Sequence, residues 1–244
     1  MKTYKARTLL LSIALLAIAV SGANLAQAQS CNVDWTGNAG TDAWGTAGNW
    51  STNKVPGPTS NVCILTAPST GSVDATAVPS ISVNSIQVGP GVGLAFGSGT
   101  VSVAESLTSQ GYLTLFETTL SASVDIQSGT LVGGGTVKGS ITNNGYVLPT
   151  NGETITVTDT YTQTSSGQLS VTFSTAYPPA LVVNSKATLS GTFTVTVNLK
   201  HPPKAGSIYT AVTSGSLSGE FTSTTVEGGG TVTYPDDTVV VTYQ

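Results

Sequence analysis

Short polar residues alternate with apolar residues along most of this chain, and this alternation restricts its fold more than any other feature. Clear examples are 80–88, 154–157 and 192–197, where Ser and Thr alternate with Ile, Val or Phe. Successive side chains of a β-strand point to opposite faces, so this pattern predicts strands that are buried on one side. Outside residues 1–28 no window has a helical period. The sequence therefore predicts an all-β fold.

A glycine followed two positions later by an apolar residue recurs through the middle of the chain. The five occurrences are Gly111–Leu113, Gly129–Leu131, Gly145–Val147, Gly167–Leu169 and Gly191–Phe193, at steps of 18, 16, 22 and 24 residues. Steps of this size fit the coils of a right-handed parallel β-helix, with glycine at the bends because it tolerates positive φ. We expect this solenoid to span residues 66–244. The alternative is a β-sandwich, whose turns recur every 8–12 residues, as they also do after residue 200.

The segment 29–65 differs from the rest because it contains all three tryptophans, Trp35, Trp44 and Trp50. We predict that it forms an N-terminal cap, since the first coil of a solenoid needs a cover. The other interpretation is a glycan-contacting platform of exposed rings. Cys31 and Cys63 are the only cysteines. In an oxidising compartment such a pair usually bridges, and we predict a disulfide.

Residues 1–28 have the pattern of a secretory signal peptide. A basic start is followed by an apolar run over 9–20, and Ala26 and Ala28 supply the small residues of a cleavage site. The run is shorter than the roughly 20 residues that a spanning helix needs. We therefore expect cleavage after Ala28, a secreted or cell-surface location, and no transmembrane segment in the mature chain.

Charge and composition exclude several function classes. Removal of residues 1–28 leaves five lysines, no arginine and twelve acidic residues, a net charge of −7. An acidic surface repels phosphate backbones, so nucleic acid is not an expected partner. The single histidine, His201, and two cysteines cannot complete a metal site, and we expect neither metal nor cofactor.

Catalytic constellations are also missing. A polysaccharide lyase needs a well-placed Lys or Arg, and the five lysines are scattered along the sequence. A glycosidase needs two carboxylates that face one another across the scissile bond. Asp236 and Asp237 are the only adjacent pair, and after Pro235 they are typical of a turn. The sequence predicts no catalytic residues.

Four stretches, 129–149, 161–169, 181–195 and 206–221, together with the opening tryptophans, resemble the recurring coils of autotransporter-passenger-like secreted β-helix proteins of bacteria. The resemblance implies a β-helix and no shared catalytic residues. The C-terminal translocation or anchoring segment that this group commonly carries is not seen here, so we expect neither self-transport nor covalent anchoring.

These observations lead to one functional expectation and one alternative. The expected function is a secreted, non-enzymatic structural or adhesive β-solenoid at or outside the bacterial cell surface. Its partners would be polysaccharide, cell envelope or further copies of itself. The alternative is a polysaccharide-binding module, or a lyase or glycosidase, on the same scaffold.

Overall fold

The computed structural model describes residues 30–150, 152–174, 176–197 and 202–244. The predicted signal peptide and His201 lie outside these residues. Over the described residues the secondary structure is twenty strands and one short 3-10 turn, Ala47–Asn49. The strands are β1 (Val33–Asp34), β2 (Asn61–Ile64), β3 (Ser72–Ala75), β4 (Ser80–Val83), β5 (Ser85–Val88), β6 (Gly93–Phe96), β7 (Thr100–Ser109), β8 (Tyr112–Ile126), β9 (Thr130–Lys138), β10 (Ile141–Asn143), β11 (Tyr146–Pro149), β12 (Ile155–Val157), β13 (Tyr161–Gln163), β14 (Gln168–Thr172), β15 (Leu181–Thr188), β16 (Thr192–Thr196), β17 (Ile208–Ser218), β18 (Ser223–Val226), β19 (Gly230–Thr233) and β20 (Thr238–Tyr243).

The chain winds repeatedly through three parallel faces. The first face stacks β1, β2, β5, the ends of β7 and β8, β10, β13, and the ends of β15 and β17. The second face stacks β3, β6, the starts of β8 and β9, β11, β14, β16 and β18. The third face stacks β4, the start of β7, the middle of β8, the end of β9, β12, the start of β15 and the middle of β17. The predicted parallel β-helix is confirmed, and the β-sandwich is wrong.

The inward side of the second face is a continuous apolar ladder. Each residue pairs with the next one in register, and all are fully buried: Leu94, Leu113, Leu131, Val147, Leu169 and Phe193. Five of these six are the apolar residues of the glycine repeat. A single coil cannot bury such residues by itself, so stacking supplies the core.

The repeated glycines lie at the corner between the first and second faces. The backbone N–H of Thr130 donates to the Gly111 carbonyl oxygen at 2.8 Å, and that of Tyr146 donates to the Gly129 oxygen at 2.8 Å. A Cβ on Gly129 would lie 2.1 Å from the Gly111 oxygen. Of the five repeated glycines only Gly191 has a positive φ, 67°. Close backbone approach, and not φ alone, therefore requires glycine at this corner.

The coils differ in length because residues are added at the corner between the second and third faces. One residue, Gly134, separates the two faces within β9, whereas residues 150–154 separate β11 from β12 and residues 173–180 separate β14 from β15. The strands on either side remain in parallel register. The repeats are therefore unequally spaced in the sequence, but their strands still stack as direct neighbours in the sheet.

The tryptophans cover the N-terminal end of the solenoid. The Trp50 ring meets the rings of Trp35 and Trp44 edge to face, with centroid distances of 5.0 and 4.8 Å. Trp50 Nε1 donates to the Trp44 carbonyl oxygen at 2.8 Å. The buried Asn49 side chain ties this segment together, accepting from the backbone N–H of Ala39. The three tryptophans thus form one buried cluster beside the first coils.

The disulfide predicted between the two cysteines is also present. Cys31 and Cys63 are bonded, with their Cα atoms 5.7 Å apart, and this links the start of the described chain to β2. Ala43 forms a parallel bridge with Asp74, so the cap continues directly into the coils.

The C-terminal end is closed by an antiparallel hairpin. β20 pairs with β17, the last strand of the third face, and β19 pairs with β20. Val239 and Val241 of β20 are fully buried. Asp236 and Asp237 form the turn before β20, both with positive φ. The backbone oxygen of Asp237 accepts from the Ser214 hydroxyl at 2.8 Å, as expected for a structural turn.

Candidate binding face

The outward side of the second face carries exposed aromatic side chains in two alternate coils. Tyr112 pairs in register with Thr130, and Thr130 pairs with Tyr146. Tyr112 is 58% exposed, Tyr146 46%, and Phe116, further along the strand of Tyr112, 50%. Seven large apolar side chains are exposed among the described residues, and three of them lie here. This patch, Tyr112, Phe116, Tyr146 and the residues between them, is named the aromatic face below.

The strand geometry sets the spacing of the aromatic face. Adjacent strands lie about 4.8 Å apart, so the Cα atoms of Tyr112 and Tyr146, two strands apart, are separated by about 9.6 Å. Phe116 lies four residues along from Tyr112, which is about 13 Å at 3.3 Å per residue. The column between them consists of Thr114, Val132 and Leu148, which are partly buried. The result is a sheet surface with rings at its corners and smaller side chains in the middle.

Hydroxyl and amide side chains continue the second face towards the C-terminus. Two columns cross β14, β16 and β18 in register, namely Gln168–Thr192–Ser223 and Ser170–Thr194–Thr225, and a third, Thr172–Thr196, joins β14 and β16. The Gln168 amide donates to the Thr194 hydroxyl at 3.3 Å, and the hydroxyls of Thr172 and Thr196 are 3.3 Å apart. The face therefore has an aromatic half and a hydroxyl half.

The outward positions of the second face from Tyr112 to Thr225 carry no carboxylate and no Lys, Arg or His. Carboxylates lie at the edge beside Phe116, and a further one, Glu227, directly follows β18. Glu117 is the residue at which β8 turns to the third face, and the Cβ of Glu153 lies over Gly134. The column of Tyr112, Thr130 and Tyr146 is thus electrically neutral.

The clearest pKa shifts lie elsewhere in the molecule. Burial raises the pKa of Tyr161 well above its usual range and raises that of Tyr209 to about 12. Hydrogen bonds, first that from the Thr70 side chain, lower the pKa of Asp42, and they hold the exposed turn at Ser69 and Thr70. None of these groups lies beside a second ionisable group arranged for proton transfer.

Trp35, Trp44 and Trp50, considered above as a glycan platform, are only 4%, 1% and 1% exposed. Their ring faces are packed against one another and offer no surface to a sugar. The exposed aromatic residues of the described chain are Tyr112, Phe116 and Tyr146 on the second face and Tyr177 in the 173–180 corner. Sequence reasoning did not select them, although Tyr112 and Tyr146 occupy the middle position of two glycine repeats, Gly111–Leu113 and Gly145–Val147. That position is outward in every coil, and this was the available signal.

No catalytic or metal-binding arrangement is found among the described residues. Cys31, Asp34 and Cys63 come together, but both sulfurs are in the disulfide and supply no thiolate. A surface depression of about 420 Å³ near the N-terminal end has Lys54 as the ionisable side chain of its lining. A lone lysine has no partner there for acid–base work.

Membrane-spanning helices are not found within the described ranges. No protein-family model, curated protein or solved structure matches this chain. The function must therefore be argued from the surface itself.

Proposed function

We propose that this protein is a secreted, non-enzymatic β-solenoid with a structural or adhesive role at or outside the bacterial cell surface. The observation that carries the proposal is the part of the second face from Tyr112 to Thr225, where outward aromatic and hydroxyl side chains extend over successive coils without a charged group among them. A surface of this kind can make many separate contacts with an extended polymer. It lacks the opposed acid and base that hydrolysis or elimination requires.

The disulfide supports an extracellular location. Bridges of this type persist in oxidising compartments and are rare in the cytosol. The pattern of residues 1–28 agrees with export.

Among the alternatives, the exposed rings of the aromatic face favour a polysaccharide-binding module over a carbohydrate-active enzyme. Sugar rings stack on aromatic faces, and the solvent-exposed Tyr112, Phe116 and Tyr146 on one face of the solenoid provide such faces. For an enzyme, the adjacent carboxylates Asp236 and Asp237 would be the first candidates. They hold a turn by backbone and side-chain hydrogen bonds, including that from the Leu217 N–H to Asp237 Oδ1 at 2.8 Å.

The test is a pull-down of the exported protein with cellulose, chitin, peptidoglycan, pectin and whole bacterial cells. Bound protein is measured in the pellet, and reducing sugars and unsaturated products are measured in the supernatant of the same tubes. We expect binding without product. Product release would contradict the non-enzymatic proposal, and no binding to any polymer or cell would contradict the adhesive role.

A further inference from the structure

We infer that Tyr112 and Tyr146 form a platform for an extended, neutral β-1,4-linked glycan, with the sugar chain running along the axis of the solenoid. The inference rests on the proposed function and names the ligand class of its surface. It is carried by three properties of the aromatic face: exposed rings, their spacing and the absence of charge.

The first property is the exposure of the rings on strands whose inward residues are fully buried. The inward neighbours Leu113 and Val147 are fully buried, whereas Tyr112 and Tyr146 expose about half of their surface. A contiguous exposed apolar patch on a soluble protein marks an interaction site more often than a single exposed residue does. Tyrosine combines an apolar ring face with a polar tip, as a sugar-binding surface requires.

The second property is the spacing. Tyr112 and Tyr146 lie two strands apart, about 9.6 Å, because each strand step is about 4.8 Å. One such step is close to the length of one pyranose in an extended β-1,4-linked chain. Alternate sugars of that chain present the same face, so a ring at every second strand meets equivalent sugar faces. Thr130, between the tyrosines, is small enough to leave the track open, and its hydroxyl is available to the sugar between them.

The third property is charge. The column of Tyr112, Thr130 and Tyr146 has no carboxylate and no Lys, Arg or His, and the hydroxyl half of the face continues in the same direction. An uncharged surface is complementary to an uncharged polymer. A uronic acid polymer such as pectin would instead need cationic side chains to offset its carboxylates, and the outward positions of this face supply none.

Phe116 adds a preference for insoluble polymer. It lies about 13 Å to the side of the tyrosine track, too far to stack on the same glycan chain. On a fibre or crystal surface, a neighbouring parallel chain passes at that side. We therefore expect tighter binding to insoluble cellulose or chitin than to their short soluble oligosaccharides.

The experiment measures depletion isotherms of the exported protein on microcrystalline cellulose and on chitin, with starch granules as an α-linked comparison. The variants are Tyr112→Ala, Tyr146→Ala and the double Ala variant. We expect binding to at least one of the β-1,4-linked polymers, on the order of tenfold weaker for each ring removed, and little binding to starch.

Two controls separate ring stacking from other effects. Tyr112→Phe with Tyr146→Phe keeps the rings and should keep the binding, and Ile208→Ala removes an exposed apolar side chain outside the aromatic face and should have no effect. Because Tyr112 and Tyr146 are exposed, the unfolding midpoints of all variants should match that of the wild type, which excludes misfolding as the cause.

Different outcomes affect the two proposals differently. The inference is overturned if neither cellulose nor chitin is bound, if the double Ala variant binds as well as the wild type, or if starch is bound equally. Binding to peptidoglycan or cells that is unaffected by the Ala variants would overturn the inference and leave the adhesive role intact. Product release would overturn the proposed function even where the tyrosines are required for binding.

Discussion

At the scale of single residues, the solenoid core contains a cluster of polar side chains that are hydrogen-bonded to one another and to the backbone. The Tyr161 hydroxyl donates to Gln163 Oε1 at 2.8 Å and accepts from Asn143 Nδ2 at 3.2 Å. Gln163 Nε2 in turn donates to the Ser190 carbonyl oxygen at 2.8 Å. These side chains join successive coils of the first face inside an otherwise apolar core. Buried polar groups cost stability only when they lack partners, and here each has one.

We predict that stability falls at alkaline pH because of the buried tyrosines. The pKa of Tyr209 is raised from its ordinary value of 10 to about 12, and that of Tyr161 is raised further. Above pH 10 the unfolded chain releases these protons while the folded protein holds them. The contribution of these tyrosines to the free energy of unfolding is therefore full below pH 10, and it decreases as the pH rises towards 12.

Urea unfolding between pH 8 and 12 tests this prediction. Tyr161→Phe should be less stable at pH 8, because Asn143 and Gln163 lose a partner, but its stability should depend less on pH. Tyr112→Phe is the matched control at an exposed tyrosine and should keep the wild-type pH profile. An unchanged pH profile for Tyr161→Phe would show that another group causes the alkaline loss.

At the scale of strands and corners, the glycine corner sets the stacking distance between coils. Gly129 and Gly145 follow one another along the axis, and a Cβ on Gly145 would lie 2.2 Å from the Gly129 carbonyl oxygen. The backbone N–H of the residue that follows Gly129 or Gly145 donates to the carbonyl oxygen of the repeated glycine in the previous coil. A larger residue would separate two coils at a point where they are joined by backbone hydrogen bonds.

We predict that Gly129→Ala destabilises the protein by about 1–3 kcal/mol, the usual cost of overpacking. Gly57→Ala is the matched control, because a Cβ at Gly57 meets nothing within 4 Å and its φ is not positive. Its effect should be within about 0.5 kcal/mol. Chemical denaturation of both variants gives the comparison, and equal midpoints would contradict the steric argument.

The sequence predicts the strands and corners well but not the surface. Period-two alternation identifies the buried residues, and the glycine repeat identifies the register of the second face from Gly111 to Phe193. Which outward residues become neighbours depends on how many residues each corner absorbs. Tyr112 and Tyr146 are 34 positions apart in the sequence yet two strands apart in the sheet. The candidate face could not be assembled until the register was known.

At the scale of the whole molecule, the two ends are closed by different means. The N-terminal end is covered by the tryptophan cluster and fastened by the disulfide. The C-terminal end of the third face is closed by the β19–β20 hairpin, in which β20 runs antiparallel to β17. Composition predicted the first closure, because tryptophan is concentrated in one segment. The second closure leaves no such signal, because β19 and β20 have the same Thr and Val alternation as the coils.

We predict that deletion of residues 230–244 promotes self-association. Loss of β20 removes the buried Val239 and Val241 and leaves the β17 edge at Val212 without its antiparallel partner. Unpaired strand edges pair with other copies. Size-exclusion chromatography with light scattering should give a larger mass for the truncated chain than for the full chain. Thr231→Ala, an exposed change that keeps the hairpin, should behave as the full chain, and a truncated protein of unchanged mass would contradict the capping role.

The corner between the second and third faces has a consequence for engineering. Successive coils place one, five and eight residues there, within β9, after β11 and after β14, and the strands on both sides keep their register. A peptide grafted into this corner would be displayed beside the aromatic face without altering the spacing of the coils. The protein is in this respect a display scaffold, on which the grafted peptide and the aromatic face can be varied independently.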